Sequence, residues 1–227
     1  MVKQYQHASL EGFYGAIQQK FKNDNDIKVI LDVGSCHALE SVEFFKKFKN
    51  AKIYAFEANQ DSYQECLKNC NGINNIKVTN VCISDYDGLC KFFPINAIKT
   101  QTTWFDGNRG ASSMFKSNGA ADHIEKYVQD EIEMPCNRLD TFCNLEKIDK
   151  IDAIWMDLQG AELLALKGLG SLLDTVQVIQ TELEINPMYD GQCLFEETNA
   201  FLEARGFKRV SGNNSVMFGT DFIYVKQ

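Results

Sequence analysis

An apolar run over Lys28–Val33 stops at Gly34-Ser35, and about twenty residues on, a second run over Ala51–Phe56 stops at an acid, Glu57. A short apolar strand that ends in glycine and gives way to a helical pattern, here Leu39–Lys49, reads as a parallel strand feeding a crossover helix. The glycine lets the backbone approach a ligand closely, and an acid at the tip of the next strand can accept hydrogen bonds from both hydroxyls of a ribose. This pairing constrains the chain to an α/β architecture able to grip an adenosine.

The remaining segments agree with that frame. Residues 8–22 read as a helix with Ser9 as its cap. Asp61–Asn69 reads as a helix, Ile76–Ile83 as a third strand, and Asp85-Tyr86-Asp87-Gly88 as a turn into a short strand, Leu89–Phe93. From about Pro94 to Glu131 no period is visible; the stretch is rich in Thr, Ser, Asn and Gly and holds Trp104 and Phe105. So long a loop inside a domain is usually functional or disordered, and the two aromatics favour function. Regularity returns with a strand at Ile151–Met156 ending in Asp157 and a helix at Gly160–Leu169. A strand at Val176–Ile185 carries Glu182 and Glu184, and the helix Phe195–Arg205 is stopped by Gly206. Phe207–Val210 and Met217–Val225 pair as an antiparallel hairpin across Gly212-Asn213-Asn214. The expected fold is α/β: a doubly wound, mostly parallel sheet with an antiparallel C-terminal hairpin. Residues 1–227 are expected as a single domain, with 1–27 a helical lead-in and 94–135 an irregular insertion on the substrate side.

Charge and cysteine content narrow the function. There are 31 acids against 23 bases, a net charge of −8, and no basic cluster. Lys46-Lys47-Phe48-Lys49 reads as the solvated end of a helix, where cations suit the dipole. Nucleic-acid binding through phosphates is not expected. None of the eight cysteines forms a CxxC pair; Cys82, Cys136 and Cys143 sit in or beside apolar runs. Cys66 and Cys70 could share a helix face, but no second pair supports a metal site. Without a signal peptide or an apolar stretch near the length of a membrane span, the protein is expected in a soluble, reducing, cytoplasmic setting with no membrane partner.

In open parallel sheets the ligand lies beyond the carboxyl ends of the strands. Those ends carry Asp32-Val33-Gly34-Ser35, Glu57, Ser84-Asp85, Asp157 and the Glu182–Asn186 region. Each acid has a plainer alternative. Asp32 could cap its own turn, Glu57 could be a solvated strand end, and Asp157 could be the N-cap of the next helix. One of Glu182 and Glu184, on one strand face, could simply be ion-paired. Ser112-Ser113 could be ordinary loop residues. The histidines do not cluster: His7 reads as a surface residue, His37 follows Gly34 and could touch a ligand or face solvent, and His123 is an outside candidate for a base.

Taken together, these segments resemble the FkbM family of S-adenosylmethionine-dependent methyltransferases over roughly residues 28 to 225. The strongest piece is Ile151-Asp152-Ala153-Ile154-Trp155-Met156-Asp157-Leu158-Gln159-Gly160-Ala161-Glu162, continuing to Leu166-Lys167-Gly168. Leu31-Asp32-Val33-Gly34, Phe56-Glu57, Ile83-Ser84-Asp85 with Gly88, Ser112-Ser113, Arg138-Leu139-Asp140, Thr181-Glu182 to Tyr189-Asp190-Gly191-Gln192 and Asp221-Phe222-Ile223-Tyr224-Val225 support it. Four positions depart from the family pattern: Ala38 replaces a second glycine, Cys36 and His37 replace small or amide residues, and Trp155 stands where Lys is common.

The resemblance implies a Rossmann-like class I methyltransferase fold and S-adenosylmethionine as cofactor. Asp32 and Gly34 would contact its methionine part, with Ser35 and His37 in the same turn. Glu57 would hold the ribose, with Ala58 next to it also touching the cofactor, and Ser84 and its neighbour Ile83 would lie along the adenine. Asp157 would sit near the methyl-donating centre. The family commonly methylates hydroxyl oxygens, often of sugars, so the expected acceptor is a small molecule or glycan. Asp157 or Glu182 would take the hydroxyl proton, with His123 in reserve. Trp104, Ser113, Tyr189 and Gln192 would meet the acceptor. No metal is called for, and oligomeric state is left open. Two rivals stand beside this reading. An NAD(P)-dependent oxidoreductase is disfavoured because Ser35, Cys36, His37 and Ala38 leave the three-glycine pyrophosphate turn incomplete. A non-catalytic S-adenosylmethionine-binding module gains some weight from the departures.

Overall fold

In the computed structural model, which describes residues 8–216 and 218–227, the longest apolar runs form the middle of a seven-stranded sheet. His7, and Met217 at the start of the expected last strand, lie outside the described residues. In chain order the elements are α1 (Ala8–Lys20), β1 (Val29–Val33), α2 (Leu39–Lys47), β2 (Lys52–Phe56), α3 (Gln60–Asn69) and β3 (Ile76–Thr79). There follow β4 (Cys82–Ile83), β5 (Gly88–Phe92), β6 (Ile132–Asn137), α4 (Leu139–Glu146), β7 (Ala153–Met156) and α5 (Glu162–Gly168). The chain closes with β8 (Val178–Glu184), α6 (Phe195–Ala204), β9 (Phe207–Ser211) and β10 (Gly219–Lys226).

The large sheet runs β3-β2-β1-β7-β8-β10-β9. β10 alone is antiparallel, inserted between β8 and β9, so the closing hairpin folds its second strand inward. Strand order reverses between β1 and β7, where a doubly wound sheet opens a crevice at its carboxyl edge. One face is covered by α1, α2 and α3, through Phe13, Ile17, Phe44, Phe48 and Cys66. The other is covered by α4, α5 and α6, through Leu139, Leu166, Phe195 and Leu202. α1 is therefore part of the core: Phe13 is fully buried, its ring centroid 5.4 Å from those of both Phe44 and Trp155.

Three segments differ from expectation. The strand expected over Ile76–Ile83 breaks in two at Asn80, whose side-chain amide donates to the Glu57 and Ala58 carbonyls at 2.8 and 3.0 Å. Its second half, β4, pairs instead with β6, and β6 pairs with β5 to make a separate three-stranded sheet. β6 and α4 were not expected; Pro135 inside β6 argues against a strand, and Thr141, Cys143 and Asn144 are weak helix formers. The stretch from Pro94 to Glu131 holds one 3-10 turn, Arg109–Ala111, and is pinned by single bridges such as Phe93 to Ser113 and Ser117 to Tyr189. All eight cysteines are free. Among the described residues no helix is long and apolar enough to cross a membrane.

Candidate active site

The carboxyl ends of β1, β2, β7 and β8, with the 94–131 stretch folded over them, enclose a cleft of about 1270 Å³. At one end the β1–α2 turn sets its shape. Gly34 sits at φ +85°, and any Cβ there would run into the carbonyl oxygen of Asp157, so only glycine lets the β1 and β7 tips come this close. The N–H groups of Gly34 and Ser35 both donate to the Phe56 carbonyl at 2.9 Å, stitching the turn to β2. The chain then passes through Cys36 at φ +50° and Ala38 at φ +55°. Ala38, where the family's second glycine stands, takes the left-handed conformation glycine would take, at a cost of about 1 kcal/mol.

Glu57 forms the side wall of this end. Its carboxylate accepts from the Cys36 and Asn59 N–H groups, both at 2.7 Å, yet burial pushes its pKa up to about 8 against those bonds. Ala58, Ile83, Phe92 and Met114 line an apolar wall beside it. His37 lines the same end, Nε2 3.4 Å from Asp106 Oδ2, and burial lowers its pKa. Asp32 and Ser84 lie behind the surface. Asp32 is 1% exposed, accepts from Ser41 Oγ at 2.5 Å and so ties α2 to β1; burial raises its pKa to about 7. Ser84 is fully buried, and its N–H donates to the Asn137 carbonyl at 3.0 Å.

On the strand beside this turn and on the next one, Asp157 and Glu182 face each other across a single amide. Gln159, at φ +53°, donates through Nε2 to Asp157 Oδ1 at 2.8 Å and to Glu182 Oε2 at 2.9 Å. Its Oε1 accepts from the Tyr189 hydroxyl at 2.8 Å, which fixes which way the amide points. The turn carrying it is held from below by Glu162, which accepts from the Leu158 N–H at 2.7 Å and the Gly160 N–H at 3.0 Å. Asp157 is raised chiefly by burial, and Glu182 is raised further, chiefly by the charge of Asp157.

The residues expected to meet the acceptor divide. Trp104 lines the cleft and is 40% exposed. Ser113, Tyr189 and Gln192 stand behind the lining. Ser113 Oγ donates to the Gln159 carbonyl at 2.8 Å, Tyr189 is 1% exposed, and Gln192 Oε1 accepts from the Met188 and Tyr189 N–H groups. His123 is exposed and does not line the cleft; its Nδ1 lies 3.1 Å from the Ala120 carbonyl and its ring centroid 6.0 Å from that of Phe218, which does line it. Gln159, Gln180 and Asp221 are among the cleft residues to which the sequence assigned no site role. Gln159 had a signal in its place between Asp157 and Gly160 in the strongest motif, and Asp221 in heading the last supporting motif; Gln180 had none.

With this geometry in view, the sequence matches the model of the methyltransferase FkbM domain over residues 32–209, more than half of the chain. The chain belongs to the FkbM methyltransferase family. The 2-O-methyltransferase NoeI of Sinorhizobium fredii is 27% identical over 164 residues, which cover 72% of this chain and 66% of that protein. The matched region thus spans just under two thirds of that relative's length. The fibrillarin pre-rRNA processing protein of Methanococcus jannaschii superimposes with a TM-score of 0.51 at 14% identity, over 89% of this chain and 68% of that one. At that identity the likeness is one of fold, the Rossmann-like class I methyltransferase fold. The domain is therefore an S-adenosylmethionine-dependent methyltransferase domain, which closes the choice between a methyl donor and a dinucleotide. Its cleft fits the cofactor on its own chemistry: an apolar wall for a purine, a buried carboxylate beside it for a ribose, and a glycine turn on the next strand where backbone can be approached closely.

Proposed function

We propose that the FkbM domain methylates a hydroxyl oxygen of a sugar or glycan, with Asp157 as the general base. The observation that carries this reading is the Asp157–Gln159–Glu182 constellation at the end of the cleft opposite the ribose-type carboxylate Glu57. When bound, S-adenosylmethionine supplies an electrophilic methyl group. Glu57 would accept from the ribose hydroxyls, Ala58 and Ile83 would flank the purine, and Gly34 and Ser35 would present backbone to the methionine part. An alcohol is a poor nucleophile near neutral pH and gains from a base whose pKa lies near the working pH. Asp157, raised by burial and lying beside Glu182, meets that need. Gln159 keeps Asp157 in one orientation, so a hydroxyl placed against it is held at attacking distance. Trp104, at the rim, offers an apolar face to a sugar ring. NoeI, named a 2-O-methyltransferase, supports an oxygen acceptor.

The test has two stages. Thermal unfolding with S-adenosylmethionine, S-adenosylhomocysteine and NAD⁺ in separate wells should show a rise with the two sulfur compounds alone; a ligand at a hundred times its Kd adds about 2.7 kcal/mol. Methyl-labelled cofactor should then pass label to a base-stable ether on a panel of mono- and oligosaccharides. Label found only on nitrogen, or only on RNA, would overturn the assignment.

A further inference from the structure

Beyond Asp157 the cleft continues along β8 and β10, and its wall there consists of hydrogen-bond acceptors. Gln180, Glu182 and Glu184 alternate along β8, so they share one face and span about 13 Å of strand. Asp221 stands directly opposite Glu182 on β10, and Gly219, opposite Glu184, adds no side chain beside it. All five positions line the cleft. Gln180, 1% exposed, spends its amide on Asp221 Oδ1 at 2.8 Å, leaving Oε1 buried with no partner in the protein. Glu184, 3% exposed, likewise has a buried, unpartnered Oε2. The cleft's cations are elsewhere: Lys46 is paired with Glu43 at 2.6 Å, and Arg109 stands beside His37 at the cofactor end.

We propose that this wall is the acceptor subsite and that it selects a sugar bearing a protonated primary amine near the hydroxyl to be methylated. The inference rests on the methyltransferase reading above and sharpens its substrate class. An ammonium group has three donors and no acceptor, which matches a wall with two unpartnered acceptors, Gln180 Oε1 and Glu184 Oε2; a neutral sugar hydroxyl brings its own lone pairs toward carboxylates. Burying acids without a counter-charge is costly: Glu182 is pushed up chiefly by the charge of Asp157 and then by burial, and Glu184 by burial and then by Glu162 and Asp157, as expected of a site completed by a cation. The acids are strung along two strands, and among the described residues no three His, Cys, Asp or Glu side chains converge on one metal position. That spread suits several donors on an organic ligand better than a single ion. The wall also lies two strands from β1, about 10 Å from the turn assigned to the cofactor, so the cofactor's own amine does not account for it.

Calorimetric titration of the protein saturated with S-adenosylhomocysteine tests this directly. The probes are methyl glucosides aminated at C2, C3, C4 or C6, each with its N-acetylated counterpart, and magnesium chloride alone. At least one aminated glucoside should bind about tenfold or more tighter than its N-acetylated partner, the equivalent of one charge-assisted contact. In Glu184→Gln and Gln180→Leu that preference should fall below about threefold, while S-adenosylhomocysteine affinity stays at the wild-type value and reports a folded protein. No amine preference at any of the four positions overturns the proposal. Magnesium binding that Glu184→Gln abolishes overturns it as well, in favour of a metal site. Failure of S-adenosylhomocysteine to bind the wild type would instead sink the methyltransferase reading itself.

Discussion

The two ends of the cleft hold buried carboxylates in opposite ways. At the cofactor end Glu57 accepts from two backbone N–H groups, and Asp32 from the Ser41 hydroxyl, so each acid has its own donor. At the acceptor end Asp157 and Glu182 share one donor, the Gln159 amide, and Glu184 leaves an oxygen unpartnered. A satisfied acid is a fixed feature of a binding wall. An acid crowded by its neighbours is one whose protonation responds to whatever arrives, which is what proton abstraction requires.

The sharpest way to break this contrast is to remove an acid from each end. Asp157→Ala should lower kcat by about 10³-fold, the scale of a lost general base, while circular dichroism and S-adenosylhomocysteine affinity stay unchanged. Wild-type turnover would sink the assignment of the base. Glu57→Gln should do the reverse, weakening S-adenosylhomocysteine by about 10- to 100-fold through one lost charged acceptor and one orphaned N–H. If both variants lose cofactor affinity equally, the ends are not distinct.

A subtler cut spares both acids. Gln159→Met keeps length but removes the shared donor, and kcat should fall by about tenfold with little change in the cofactor's KM. A fall in cofactor affinity of the same size would place Gln159 at the wrong end. The smallest effect concerns pH. Glu57, Asp32 and Glu162 have folded pKa values of about 8, 7 and 7, all above the unfolded carboxylate range near about 4. The native state therefore binds these protons more tightly, so stability is fully present at pH values below the unfolded range and is lost as pH rises toward about 8. Without ligand, the melting midpoint should drop by on the order of 10 °C between pH 6 and pH 8. S-adenosylhomocysteine, which needs Glu57 ionised to receive a ribose hydroxyl, should by contrast bind more tightly as pH rises to about 8 and level off beyond. A ligand-induced shift that shrinks over that range would contradict the role of Glu57.

Much of this protein is legible in one dimension. Local period and punctuation set β1, β2, β7 and β8, and because topology puts every parallel strand's end at the same edge, reading a strand's last residue already locates Gly34, Glu57, Asp157 and Glu182 at the cleft. What could not be read there is which way a side chain turns once the chain has folded back. Ser113, Tyr189 and Gln192 have the right chemistry for an acceptor site, but the packing of the 94–131 stretch against the Gln159 turn points them inward. Gln159 joins residues 23 and 30 positions away, a link no local pattern encodes. The β4-β6-β5 sheet depends likewise on β6, whose proline disguises it in sequence. Local physics determined the elements and the acids at their tips; long-range packing alone decided which acids are satisfied and which are left to meet a substrate.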